Sequence, residues 1–129
     1  MIIELDAHSA VPPYAQLLDQ IATMIRSGVL APGSRLPTIR HLANDLGVAV
    51  NTVARAYREL ELEGLAAPRG RHGTVVTAPA KVTALARKAE VASAAASYAL
   101  EARHRGLDLE QALDAVRSAF GRLEGRRSG

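Results

Sequence analysis

Only three residues, Gly47, Val48 and Ala49, separate two segments that both carry apolar side chains at helical spacing. In the first, Ile39, Leu42, Ala43 and Leu46 share one face; in the second, Val53, Tyr57 and Leu60 do. Glycine accepts the left-handed backbone that ends a helix, so so short a Gly-centred break turns one helix sharply against the next. A helix-turn-helix unit is therefore expected, with its helices at Thr38–Leu46 and Val50–Glu63. Thr38 is the expected N-cap of the first. Three residues on stands His41 rather than the acid of a full capping box, which weakens that helix start slightly.

The flanks complete a small fold. Pro12 and Pro13 open a stretch in which Tyr14, Leu17, Leu18, Ile21 and Ile25 recur with helical period, and Gly28 closes it, which predicts a helix over about 13–27. Behind the second helix of the pair the pattern turns extended. Leu65–Ala67 and Thr74–Thr77 read as short strands around the basic loop Arg69-Gly70-Arg71-His72-Gly73. The first 78 residues are thus expected to form a winged helix-turn-helix of three helices and a two-stranded wing. After the linker Ala78-Pro79-Ala80 come a long alanine-rich helix over 82–104 and a last helix opened by an Asp108/Gln111 capping box. The fold class is mainly α, with a two-helix hairpin over 79–125. Residues 126–129 end a glycine-bounded tail, Gly125 to Gly129, that is expected to be disordered.

Charge has to be read by position. The chain carries a net +3, but residues 1–79 hold 7 arginines against 7 acids, so the whole excess lies beyond them. Bulk charge says nothing for the first module. Placement does: Asn51, Arg55 and Arg58 fall opposite the Val53/Tyr57/Leu60 stripe, and Asn51, Thr52 and Arg55 put hydrogen-bonding groups on the leading half of the second helix. Glu59, Glu61 and Glu63 collect at its other end. A helix that enters the major groove by its N-terminal half needs that polarity.

The run from Pro12 to Val76 resembles the DNA-binding domain of the GntR family of bacterial regulators, most specifically in Tyr14-Ala15-Gln16-Leu17, Leu36-Pro37-Thr38-Ile39-Arg40, Asn51-Thr52-Val53 and Ala56-Tyr57-Arg58-Glu59-Leu60. By matching positions the resemblance implicates Arg40, Asn51, Thr52 and the wing residues Arg71, His72 and Gly73 in DNA contact. Arg55 is added on helical geometry alone. Arg58 and Arg69 each read two ways, as a phosphate contact or as a solvated surface charge. Where many relatives carry arginine, this chain has Val50 and Ala54, which leaves base readout thinner or more dependent on Arg55.

The short tail resembles that of the YtrA-type branch, in which it is a dimerisation element. The residues argue likewise. Leu85, Ala89, Ala92, Ala96 and Ala99 form one apolar stripe on the long helix, and Val91, Ala95, Tyr98 and Ala102 a second. One partner helix, lined by Leu109, Ala112, Leu113, Val116, Phe120 and Leu123, cannot cover both, and so small a hairpin cannot bury a core alone. The dimer contact is assigned to Leu85, Ala89, Ala92, Ala96, Tyr98, Ala99, Leu113, Val116 and Phe120.

The expected partners are a double-stranded DNA operator, read as an inverted repeat, and a second copy of the chain. An effector, if one exists, is not legible. Absent cysteines close thiol chemistry, and four scattered histidines give no metal-ligand pattern. With no phosphate loop, nucleophile triad or paired carboxylates, neither an enzyme nor a cofactor is expected. Glu4 and Asp6 in the first ten residues do not suit a secretory leader, and the longest alanine-rich run is too short to span a bilayer, so a cytoplasmic protein is expected. The competing reading is a winged-helix adaptor that contacts proteins. Arg40, Arg55 and Arg71 on one face speak against it.

Overall fold

The computed structural model describes residues 1–77 and 84–127, with side chains of the second stretch described for 87–125. In order, the elements are α1 (Pro13–Arg26), α2 (Ile39–Leu46), α3 (Val50–Leu62), β1 (Ala66–Pro68), a 3-10 turn (Gly70–His72), β2 (Thr74–Val76), α4 (Ala84–His104) and α5 (Leu109–Arg127). They divide into two compact units, Ile3–Val82 and Thr83–Gly129 together with Met1–Ile2.

The first unit is built on α3. Its inward residues Val53, Ala56, Tyr57 and Leu60 are buried against Leu17, Ile21 and Ile25 of α1 and Leu42 and Ala43 of α2. Leu36 and Val76 close the core from the wing side. Each such buried aliphatic side chain contributes about 1.5–3 kcal/mol of transfer free energy. The Gly47 turn behaves as the sequence requires: Gly47 sits at φ 67°, ψ 34° and the Val48 N–H reaches back to the Ala43 carbonyl at 3.0 Å. That closure satisfies a terminal carbonyl of α2 and aims α3 across it. Thr38 caps α2 by accepting from the His41 N–H at 3.1 Å.

α1 begins on Pro12 and Pro13, which preset its first turn. Two of its glutamines hold the leading segment in place. Gln20 pairs with both backbone groups of Glu4, and Gln16 accepts from the Asp6 N–H while donating to the carbonyls of Asp6 and Val11. A side-chain amide thus serves where a neighbouring strand would.

The wing strands pair antiparallel, Ala66 with Val76 and Pro68 with Thr74. The wing is broader than its two strands. Residues 33–36 lie along the far side of β2, with Leu36 N–H on the Thr74 carbonyl, Val76 N–H on the Ser34 carbonyl and Gly33 N–H on the Val76 carbonyl at 2.8–2.9 Å. A bridge pairs Arg35 with Val75.

In the second unit the Asp108/Gln111 box is made in both directions at 2.9 Å. The Tyr98 hydroxyl donates to the Ala112 carbonyl, tying α4 to α5 at 2.7 Å. The last helix runs through Arg127, past the glycine that was expected to start a disordered tail; Ser128 and Gly129 lie outside the described residues. The linker at 78–80 and the expected helix start at 82–83 lie outside them too. Among described side chains of this unit only Ala102 is buried.

Candidate nucleic-acid interface

The helical period that sinks Val53, Ala56, Tyr57 and Leu60 turns Asn51, Arg55 and Arg58 outward, and all three are exposed. Thr52, on the flank of the same turn, is half-buried. No side chain caps the start of α3, where Ala49 is the N-cap. The first N–H groups of the helix therefore have no side-chain partner, and Ala49, Val50 and Asn51 around them are exposed, an arrangement that suits an anion. Glu59 is half-buried and Glu63 pairs with Arg26 of α1 at 3.3 Å, so the acids of the trailing half are drawn toward the body of the module.

Arg40, the second residue of α2, is exposed, as is Arg71 in the wing. Among the described residues none of Arg40, Arg55, Arg58 and Arg71 has an acid within ion-pair distance, whereas Arg26 does. The Arg55 guanidinium instead lies over the ring of Tyr14, 3.6 Å from its centroid. Arg69 bends back onto its own strand and donates to the Pro68 carbonyl at 3.3 Å.

The wing tip is held to the segment before α2. Arg35 approaches His72 with Nη2 to Nδ1 at 3.1 Å. A guanidinium only donates, so the contact is a hydrogen bond in the His72 tautomer whose Nδ1 accepts. Gly73 follows at φ 70°, ψ −140°, a region open essentially to glycine, and its carbonyl accepts from Arg69 N–H at 2.7 Å. Between wing and helices lies an open cleft of about 240 Å³ lined by Arg35, Pro37, Thr38, Ile39, Arg71 and His72 among others. It brings the wing residues beside the start of α2. Beneath it the buried Tyr57 hydroxyl donates to the Pro37 carbonyl at 2.6 Å, and burial pushes its pKa well above the ordinary tyrosine value.

Residues 13–76 match the family described as bacterial regulatory proteins, gntR family. The chain is 42% identical to the HTH-type transcriptional regulator Rv1152 of Mycobacterium tuberculosis, over 86% of this chain and 88% of that one. It is 32% identical to the HTH-type transcriptional repressor YtrA of Bacillus subtilis, over 85% of each. This chain belongs to the GntR family. Among solved structures it resembles YtrA from Sulfolobus acidocaldarius, at 38% identity and a TM-score of 0.57 over 74% of this chain and 99% of that one. It also resembles the DNA-binding domain of AraR in complex with operator ORX1, at 26% identity and a TM-score of 0.52 over 60% and 96%. Matches to YtrA proteins that extend beyond the winged module place the chain with the YtrA-like members of the family.

Two residues of this GntR module escaped the sequence reading. Arg35 stands in a loop without periodicity, and Tyr14 looks like one more apolar position of α1; each is tied to its partner only by the fold. Among the described residues no helix is long and apolar enough to cross a membrane, and no three acids or histidines gather as metal ligands.

Proposed function

We propose that the protein is a cytoplasmic transcriptional repressor that binds an inverted-repeat operator as a homodimer. α3 enters the major groove by its N-terminal half, where Asn51, Thr52 and Arg55 face the bases. Arg40, Arg58 and the wing residues Arg71 and His72 lie over phosphates or the neighbouring minor groove, and fix register. Arg69, folded onto its strand, stands at the edge of that surface. The observation that carries the reading is the set of exposed arginines without acid partners on the face of α2, α3 and the wing. A surface built for protein contacts has no need to leave four such charges uncompensated together, and the likeness to an operator-bound AraR domain agrees with it.

The tail supplies the second copy. Val91, Tyr98, Leu100, Leu113 and Phe120 are all exposed on the described hairpin. Joined through that surface, two protomers present recognition helices to successive major grooves about 34 Å apart. The side chain of Leu85, assigned to the same contact from sequence, lies outside the described residues.

The reading is tested by titrating the full chain against duplexes selected from a random library, at several salt concentrations. Operator binding releases counterions, and log K is expected to fall with log salt by about 0.9 per phosphate contacted. Binding that is insensitive to salt, or no enrichment of any duplex, would instead place the protein with winged-helix adaptors.

A further inference from the structure

The stack of Arg55 on Tyr14 joins the recognition helix to a helix that no part of the sequence reading gave a role in DNA contact. We infer that Tyr14 is a positioning residue for Arg55, holding its guanidinium plane ready for paired acceptors of the duplex; this rests on the operator reading above. Three observations support it. The guanidinium carbon stands 3.6 Å from the ring centroid, so one face of the cation lies against the π system while its N–H edges stay outside the stack. Among the described residues those edges meet no acid and no carbonyl, unlike Arg26, Arg105 and Arg117, which are ion-paired, and Arg69, which is bonded to its own strand.

The platform is also stiff. Tyr14 is the second residue of α1, directly after Pro12 and Pro13, and the N–H groups of Ala15 and Gln16 both close on the Pro12 carbonyl at 3.0–3.1 Å. Gln16, in the same turn, is bonded to the leading segment through both ends of its amide. Tyr14 itself is half-buried, so its ring has few places to go. A long arginine free in water must be ordered when it binds; one already laid on a fixed ring loses less freedom per hydrogen bond formed.

The experiment is a double-mutant cycle read on a duplex that the wild-type chain selects from a random library. Tyr14→Phe keeps the ring and is expected to bind within about 2-fold of wild type. Tyr14→Leu removes it and is expected to weaken binding about 10-fold. In an Arg55→Ala background the same Tyr14→Leu change should cost less than about 2-fold, because nothing is left to position. Relaxation of the Arg55 Nε–H signal in the free protein supplies a readout without DNA: ordered in wild type and Tyr14→Phe, mobile in Tyr14→Leu. An equal loss with and without Arg55, or an Arg55 signal as mobile in wild type as in Tyr14→Leu, overturns the assignment. Failure of the wild-type chain to select any duplex, with Arg55 ordered, overturns the operator reading and with it the role of Tyr14 in DNA binding.

Discussion

Tyr57 and Phe120 are aromatic residues of similar bulk on amphipathic helices, yet Tyr57 is 2% exposed and Phe120 62%. The difference lies in what surrounds each helix. Around α3 the chain itself provides α1, α2 and the wing, enough to enclose Val53, Ala56, Tyr57 and Leu60 on every side. Around α5, the described residues of its own unit provide one alanine-rich helix, α4. The apolar positions of α5 divide accordingly: Ala112, Val116, Ala119 and Leu123 are half-buried, while Leu109, Leu113 and Phe120 stand out. The winged module closes its own core, whereas the tail leaves Leu109, Leu113 and Phe120 exposed. In the function proposed above, a second copy covers that surface and so ties DNA reading to assembly.

The largest effect should come from cutting the two regions apart. A chain ending after residue 79 keeps the self-contained core and is expected to remain folded but monomeric. Its operator affinity should fall by about 10²–10⁴-fold, since the second half-site is no longer held nearby. A dimer seen by sedimentation would break the comparison outright, and Phe120→Asp in the full chain should weaken the same assembly without unfolding the module. Next comes Leu60→Ala, which opens a cavity in the enclosed core and should cost about 2–5 kcal/mol of module stability in urea melts. Leu113→Ala in the tail, tested on a monomeric Phe120→Asp background, should cost well under that, being already wet.

Within the interface, Arg55→Ala is expected to weaken operator binding by about 1–3 kcal/mol and relax sequence preference. Arg71→Ala should weaken all sequences evenly and lower the salt slope by about 1. A footprinting titration in which the two variants behave alike would remove the division between helix and wing. The smallest effect concerns Tyr57. Its hydroxyl is held neutral by burial, with a pKa raised above the ordinary value of 10.0. The neutral form is favoured by the fold, so this contribution is complete below about pH 10 and declines as pH climbs from there toward the folded-state pKa. Tyr57→Phe leaves the Pro37 carbonyl without its donor, which should cost about 1 kcal/mol near neutral pH. The variant should also lose less stability than wild type between about pH 9 and about pH 11, as seen in urea melts.

Local chemistry made much of this readable in advance. The helices at Pro13, Ile39 and Leu109 start where prolines, Thr38 and the Asp108/Gln111 box announce them, and the one at Val50 follows the Gly47 turn, because caps and turns depend on neighbours in sequence. Amphipathic period placed Asn51, Arg55 and Arg58 on the outer face of α3 for the same reason. The end of α5 was misjudged because Gly125 is a weak stop: an exposed helix passes through glycine at a cost of about 1 kcal/mol.

By itself, then, the sequence determined the order of elements, the Gly47 turn, the polarity of α3 and the family to which the chain belongs. Tertiary structure alone decided that residues 33–36 widen the wing, that Arg35 holds His72, that Arg69 turns back from the cluster, and that Arg55 rests on Tyr14. It also decided which stripe of α5 is left facing water. Hydrophobic period specifies that a face is apolar, but only packing between distant segments specifies what meets it.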